Sequence, residues 1–233
     1  MKTLFALAIA VIVLVPAAVA APCPTGGLNQ YLATGFSCTS GNLVFSNFSY
    51  AGAAAPPGIV VPAASINVTP ILTAGDEGFL FSASWAVIPQ AGGVSSSMDS
   101  TIFYTVSTSN HQATIDDLYL SFNGTGSGGG TAGVTEQYCL NGTLTNCTAG
   151  NLNQIFVLSP GAAPPATVTF SPVSTISVSK DISVTSGTGG FANITTVTNE
   201  FSQVTGVPEP ASCLMLGAGL LGVGLLRKRA RKQ

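Results

Sequence analysis

Positive charge is nearly missing from the middle of this chain. Between residues 21 and 206 the only basic side chain is Lys180, while Asp76, Glu77, Asp99, Asp116, Asp117, Glu136, Asp181 and Glu200 are acidic; one base against eight acids leaves a net charge of −7. A surface so poor in cations cannot neutralise phosphates, which argues against nucleic acid and anionic lipid as partners of this region. Charged residues make up only 7% of the whole chain, so solubility must come from Ser, Thr, Asn and Gly.

Histidine is scarcer still, with His111 alone among 233 residues. A Ser–His–Asp site with Asp116 or Asp117 would have to be built around it, yet no G-x-S-x-G elbow points to a serine. His111 sits in a polar turn, and a solvated loop histidine is the expected reading. Asp116 and Asp117 are adjacent, so on a regular strand they face opposite ways and form no single acid–base pair. No enzyme and no cofactor are expected; a secreted hydrolase is the least favoured alternative. Helical periodicity is absent too, which argues against an α/β sheet and its helical crossovers.

Cysteine is limited to five residues, one of which, Cys213, lies in an apolar C-terminal run. Zinc is disfavoured, because no C-x₂-C pair occurs and one histidine is available. Cys23, Cys38, Cys139 and Cys147 suit an exported, oxidising setting. Of three possible pairings, local spacing favours Cys23–Cys38 and Cys139–Cys147, each contributing about 2.5–3 kcal/mol by loop closure.

Both ends carry the long apolar runs that the middle lacks, and they account for a mean hydropathy of +0.48. At the start, Lys2 precedes an apolar stretch over residues 4–15 and an A-x-A site at Ala18, Val19 and Ala20. That is the pattern of a secretory signal peptide over residues 1–20. Pro22 ahead of Cys23 does not fit a lipoprotein signal.

At the other end, Val207, Pro208, Glu209 and Pro210 stop any preceding strand, because proline has no N–H to donate. An uncharged run over residues 211–226 follows, and then Arg227, Lys228, Arg229, Arg231 and Lys232 within the tail 227–233. Such a run spans roughly 24 Å as a helix, slightly short of a hydrocarbon core of about 30 Å, and snorkelling arginine and lysine close the gap. By the positive-inside rule the basic end stays in the cytoplasm, so the residues before Pro208 lie across the membrane.

This order of motif, short apolar helix and basic end resembles the PEP-CTERM sorting signal of Gram-negative bacteria. The resemblance implies recognition by an exosortase, a membrane enzyme that cleaves such tails near the motif. It divides the chain into a signal peptide, a β-rich extracytoplasmic domain over 21–206 and a sorting signal over 207–233. Export across the inner membrane, transient anchoring by the tail and release to the cell surface or medium are the implied route.

Along the domain, short β-rich runs alternate with Gly, Pro, Asn and Ser. Residues 43–50 open the series, with Val44, Phe48 and Tyr50 expected on one face and Leu43 and Phe45 on the other. Residues 52–58 read as a loop, 59–61 and 65–72 as strands, the latter at an edge or bulge because of Pro70. The clearest strand covers 78–88, with Phe79, Phe81, Ala83, Trp85 and Val87 toward the core at period two. Residues 101–107 place Ile102, Tyr104 and Val106 inward, and 114–122 place Leu118, Leu120 and Phe122 inward. The glycine-rich stretch 123–133 reads as a flexible surface loop. Further strands are expected over 134–140, 154–158, 166–170, 176–184 and 191–204. The spacing points to an all-β sandwich or jelly roll.

Cys38 to Tyr50, and Ser179 to Val184 with Phe201 and Ser202, are similar to a recurrent body type among PEP-CTERM proteins whose biochemical role is not known. Asp76 and Glu77 are weak calcium candidates, more simply a hydrophilic hairpin tip. Lys180 is expected to meet an acid on a neighbouring strand as a structural ion pair. Six N-x-S/T sequons, at Asn47, Asn67, Asn123, Asn141, Asn146 and Asn193, are explained mostly by turn chemistry. Tyr31, Tyr50, Tyr119 and Tyr138 are candidates either for sugar stacking or for ordinary packing. The expected role is that of a non-catalytic surface or matrix protein linked to exopolysaccharide, with a carbohydrate- or calcium-binding module as the alternative.

Overall fold

The period-two runs pair into two six-stranded antiparallel sheets. A computed structural model describes residues 20–109, 113–161 and 164–205. The signal segment 1–19, His111 and the tail from residue 206 lie outside the described residues. The strands are β1 (Gly26–Gly27), β2 (Ser37–Ser40), β3 (Leu43–Ala55), β4 (Asn67–Thr73), β5 (Asp76–Val87) and β6 (Ser97–Thr108). They continue with β7 (Ala113–Ser127), β8 (Thr131–Leu140), β9 (Leu152–Ser159), β10 (Ala166–Val173), β11 (Thr175–Thr185) and β12 (Phe191–Thr205). One helical turn, α1 (Leu28–Tyr31), precedes β2. Among the described residues no helix is long and apolar enough to cross a membrane.

One sheet runs β2-β3-β6-β11-β8-β9 and the other β1-β4-β5-β12-β7-β10. From β5 onward the chain alternates between layers except at the β8–β9 hairpin, so that β5-β12-β7-β10 faces β6-β11-β8-β9. That is the double Greek key of a jelly roll, one of the two expected architectures. β11 and β12, consecutive in sequence, therefore sit inside opposite sheets.

The clearest strand behaves as its pattern requires. Phe79, Phe81, Trp85 and Val87 of β5 are buried, and Ala83 packs against the same core. Trp85 donates its indole N–H to Ser100 Oγ at 2.9 Å, so its polar atom is satisfied inside the core. Pro70 lies beyond the two-residue β1, where β4 has no strand on its outer side, as a residue without an N–H requires.

Three expectations about the strands are corrected. Phe48 and Tyr50 share the core side with Leu43 and Phe45 rather than opposing them. A bulge between Ser46 and Ser49 inserts one extra residue against β6, and Asn47 turns through φ 57° there. Asn141, at φ 53°, is the other non-glycine residue with positive φ among the described residues, so two of the six sequon asparagines occupy conformations that asparagine tolerates. Residues 52–55 are strand, paired with Ser100 through Ser97 of β6, while Ile59, Val60 and Val61 are not. Here the ladder offered by β6 outweighs the weak β-propensity of glycine and alanine.

The glycine-rich stretch is not a flexible loop. β7 runs to Ser127, β8 resumes at Thr131, and the turn uses Gly128 at φ 61° and Gly129 at φ 93°. A Cβ on Gly126 would lie 2.4 Å from the Gly130 carbonyl oxygen, so glycine is needed there for close backbone approach. Two disulfides staple the periphery: Cys23–Cys38 with Cα atoms 4.7 Å apart, and Cys139–Cys147 with Cα atoms 5.8 Å apart.

Candidate functional site

Apart from Ser100, which meets the Trp85 indole, the inward rows of β6, β8, β11 and β12 are aliphatic and aromatic except at one level of the sandwich. There Tyr104, Glu136, Lys180 and Asn199 converge, each with 0% of its surface exposed. Register brings them together: Lys180 on β11 stands opposite Glu136 on β8, and Asn199 reaches across from β12. Lys180 is the domain's one cation, and its expected acidic partner on a neighbouring strand is Glu136.

The geometry is closed. Lys180 Nζ donates to Glu136 Oε2 at 2.7 Å and to Asn199 Oδ1 at 2.9 Å. Asn199 Nδ2 donates to the same Glu136 Oε2 at 3.1 Å and to the Tyr119 carbonyl at 3.0 Å. The Tyr104 hydroxyl donates to Asn199 Oδ1, and Lys180 Nζ lies 5.5 Å from the centre of the Tyr104 ring. Glu136 Oε1 is buried without a hydrogen-bond partner.

Burial dominates the electrostatics here. It pushes the Lys180 ammonium toward its neutral form, partly offset by Glu136. It pushes Glu136 toward its protonated form, partly offset by Lys180 and Asn199. The Tyr104 hydroxyl is held well above the usual phenol range by burial and by the neighbouring Glu136, so it remains a donor. The cluster is a desolvated amine, carboxyl, amide and phenol in mutual contact.

The other predicted site residues do not assemble with it. Asp76 is exposed and its Oδ1 accepts the Ser202 hydroxyl at 2.7 Å. Glu77 points the opposite way into the protein, where its carboxylate accepts from Gln203 and from the Gly75 N–H; burial raises its pKa. Facing opposite sides of β5, the two share no common ligand position. Among the described residues no group of three His, Cys, Asp or Glu side chains is placed to hold a metal.

Asp116 and Asp117 depart from the regular strand expected. Ile115 and Leu118 are both buried, and β7 carries one extra residue between them against β12. Asp117 Oδ1 accepts the Ser202 N–H at 3.2 Å across that bulge, satisfying a donor near the break in the ladder. Tyr31 and Tyr138 are buried and Tyr50 and Tyr119 half-buried, so these rings pack rather than form an exposed row.

Among the described residues the exposed aromatic rings are Phe156 and Phe191. Phe156 borders a depression of about 370 Å³ on the outer face of β8, β9 and β11, together with Thr131, Gly133, Thr135, Gln154 and Ser183. Sequence reasoning missed both Asn199 and the Phe156 depression. An asparagine in phase with Val197 and Phe201 was the available signal for the first.

Comparison with known proteins bears on the tail. Residues 206–229 match the PEP-CTERM protein-sorting motif, in agreement with the resemblance of Val207, Pro208, Glu209, Pro210 and the basic end to that signal. No curated protein matches the chain. Among solved structures it is similar to TmCBM61 in complex with β-1,4-galactotriose, at 11% identity and TM-score 0.32, covering 67% of this chain and 88% of that one.

Proposed function

We propose that this chain, with its PEP-CTERM sorting motif, is an exosortase substrate whose jelly-roll domain works outside the inner membrane as a non-catalytic surface component. The supporting observation is the junction. β12 ends at Thr205 and the matched motif begins at residue 206, so the processing site follows directly on the last paired strand. Before cleavage the apolar run 211–226 anchors the chain, and Arg227, Lys228, Arg229, Arg231 and Lys232 hold the motif at the outer boundary of the membrane. Cleavage then releases a domain with four cysteines in two bridges and a surface of hydroxyls and amides.

Changing Pro208, Glu209 and Pro210 together to alanine in the native host is expected to leave full-length protein in the membrane fraction, as seen by immunoblotting. Equal release of variant and wild type would sink the sorting role of the motif.

A second reading, association with a neutral exopolysaccharide, is favoured by the Phe156 depression. An exposed ring beside Thr131, Thr135, Gln154 and Ser183 offers stacking plus hydroxyl-directed hydrogen bonds, and the acidic domain directs it to uncharged sugars. Affinity electrophoresis through the host's polysaccharide is expected to retard the wild-type protein. Phe156→Ala should migrate at least about threefold less retarded, one ring being worth roughly 1 kcal/mol. Identical migration of the two proteins rules out this surface.

A further inference from the structure

A buried lysine whose amine touches a side-chain amide, with one carboxyl oxygen bonded to both nitrogens, is the arrangement an amide exchange requires. We infer that Lys180 and Asn199 join through an intramolecular isopeptide bond, formed by the folded domain itself with Glu136 as proton carrier and Tyr104 as the donor to the developing oxyanion. The bond would tie β11 to β12 across the two layers of the jelly roll.

Each atom needed for the exchange is in place. The Asn199 carbonyl oxygen lies 2.9 Å from Lys180 Nζ, and Cγ is one bond behind it. The ammonium proton passes to Glu136 Oε2, at 2.7 Å, leaving a neutral amine with a free lone pair. Burial drives the transfer, since it disfavours the charged forms of both partners. The amine attacks Cγ, and the electron pair of the C=O bond moves to Oδ1, which accepts the Tyr104 O–H. Glu136 gives its proton to Nδ2, at 3.1 Å, and takes one from the now positive Nζ.

The Cγ–Nδ2 bond then breaks, the C=O bond re-forms, and ammonia leaves. Primary amine plus primary amide become secondary amide plus ammonia. Glu136 ends protonated as it was after the first transfer, and no oxidant or co-reactant enters. Desolvation serves the reaction twice, by neutralising the amine and by keeping water from competing at Cγ. The consequence for the chain is mechanical. β12 runs into the tail one residue after Thr205, so a pull on that end would pass through Asn199 and Lys180 into both sheets.

The test is the intact mass of the full-length protein, corrected for its two disulfides. The wild type is expected about 17 Da below its sequence mass, the loss of one ammonia. After denaturation and reduction, trypsin is expected to leave the Lys180–Asp181 bond uncut, because the amidated lysine has lost its charge. Cleavage after both glutamate and aspartate should leave residues 137–181 and 182–200 joined as one branched peptide through Lys180 and Asn199. Lys180→Met and Glu136→Gln should each abolish the deficit.

A wild-type protein at full sequence mass and cut after Lys180 overturns the bond without reference to any variant. A deficit that persists in Lys180→Met also overturns it, because ammonia then left by cyclisation of an asparagine rather than by attack of this amine.

Discussion

Replacing Phe79 by alanine is expected to lower the free energy of unfolding of the domain by about 3–5 kcal/mol, measured by urea denaturation. Phe79 is fully buried on β5 and is a hub of the aromatic core. Its ring centre lies 4.5 Å from that of Phe45, 5.6 Å from Tyr31, 5.8 Å from both Phe81 and Tyr104, and 5.9 Å from Phe48. These partners come from α1, β3, β5 and β6, so the truncation leaves a cavity where both layers and the helical turn meet. A domain of this kind has a net stability of about 5–15 kcal/mol, so the loss is a large share of the whole. Leu72→Ala, at a residue 72% exposed, is the control and should change stability by less than about 0.5 kcal/mol. A Phe79→Ala effect no larger than that of Leu72→Ala would contradict the packing described for this ring.

The second large effect is expected at Glu136. Glu136→Ala removes the acid 2.7 Å from Lys180 and leaves an amine in the core with no carboxylate, at a cost of about 3–5 kcal/mol. The sign of the next substitution carries the argument. Lys180→Met added to Glu136→Ala should be more stable than Glu136→Ala alone, because it removes the stranded amine and fills its volume with an apolar chain. Asn199 would still accept from Tyr104 and donate to the Tyr119 carbonyl, so it is not orphaned in the double variant. Equilibrium denaturation of both variants decides the matter. If the double variant is no more stable than Glu136→Ala, Lys180 is not a stranded charge in the single variant.

Much of the fold was legible because period two survives wherever the ladder is regular. Phe79, Phe81, Trp85 and Val87 were assigned to the core from spacing alone, as were Tyr104 and Leu118. The pattern failed where one residue is added. Past the bulge at Asn47, Phe48 and Tyr50 change sides, and between Ile115 and Leu118 the paired aspartates leave the regular alternation. Nothing in composition marks an insertion whose position is set by the partner strand.

Glycine misled in a related way. The stretch around Gly126 reads as slack chain, yet its missing side chains let β7 approach the turn after it. The buried polar cluster was half legible. A lone cation in an acidic domain must find a carboxylate, but which carboxylate depends on the register of β8 against β11, and Asn199 arrives from the other sheet. The tail needed no such knowledge, because its motif, apolar run and basic end are contiguous in sequence.

The central claim, that this jelly-roll domain is exported and then cut from a membrane tail, is tested most directly by the termini of the mature protein. Intact-mass and terminal-peptide measurement on protein recovered from a native host that expresses an exosortase is expected to place the N-terminus at Ala21 and the C-terminus within a few residues of Val207 to Pro210. A mature chain that still ends at Gln233 would contradict it, and the tail would then be a permanent anchor.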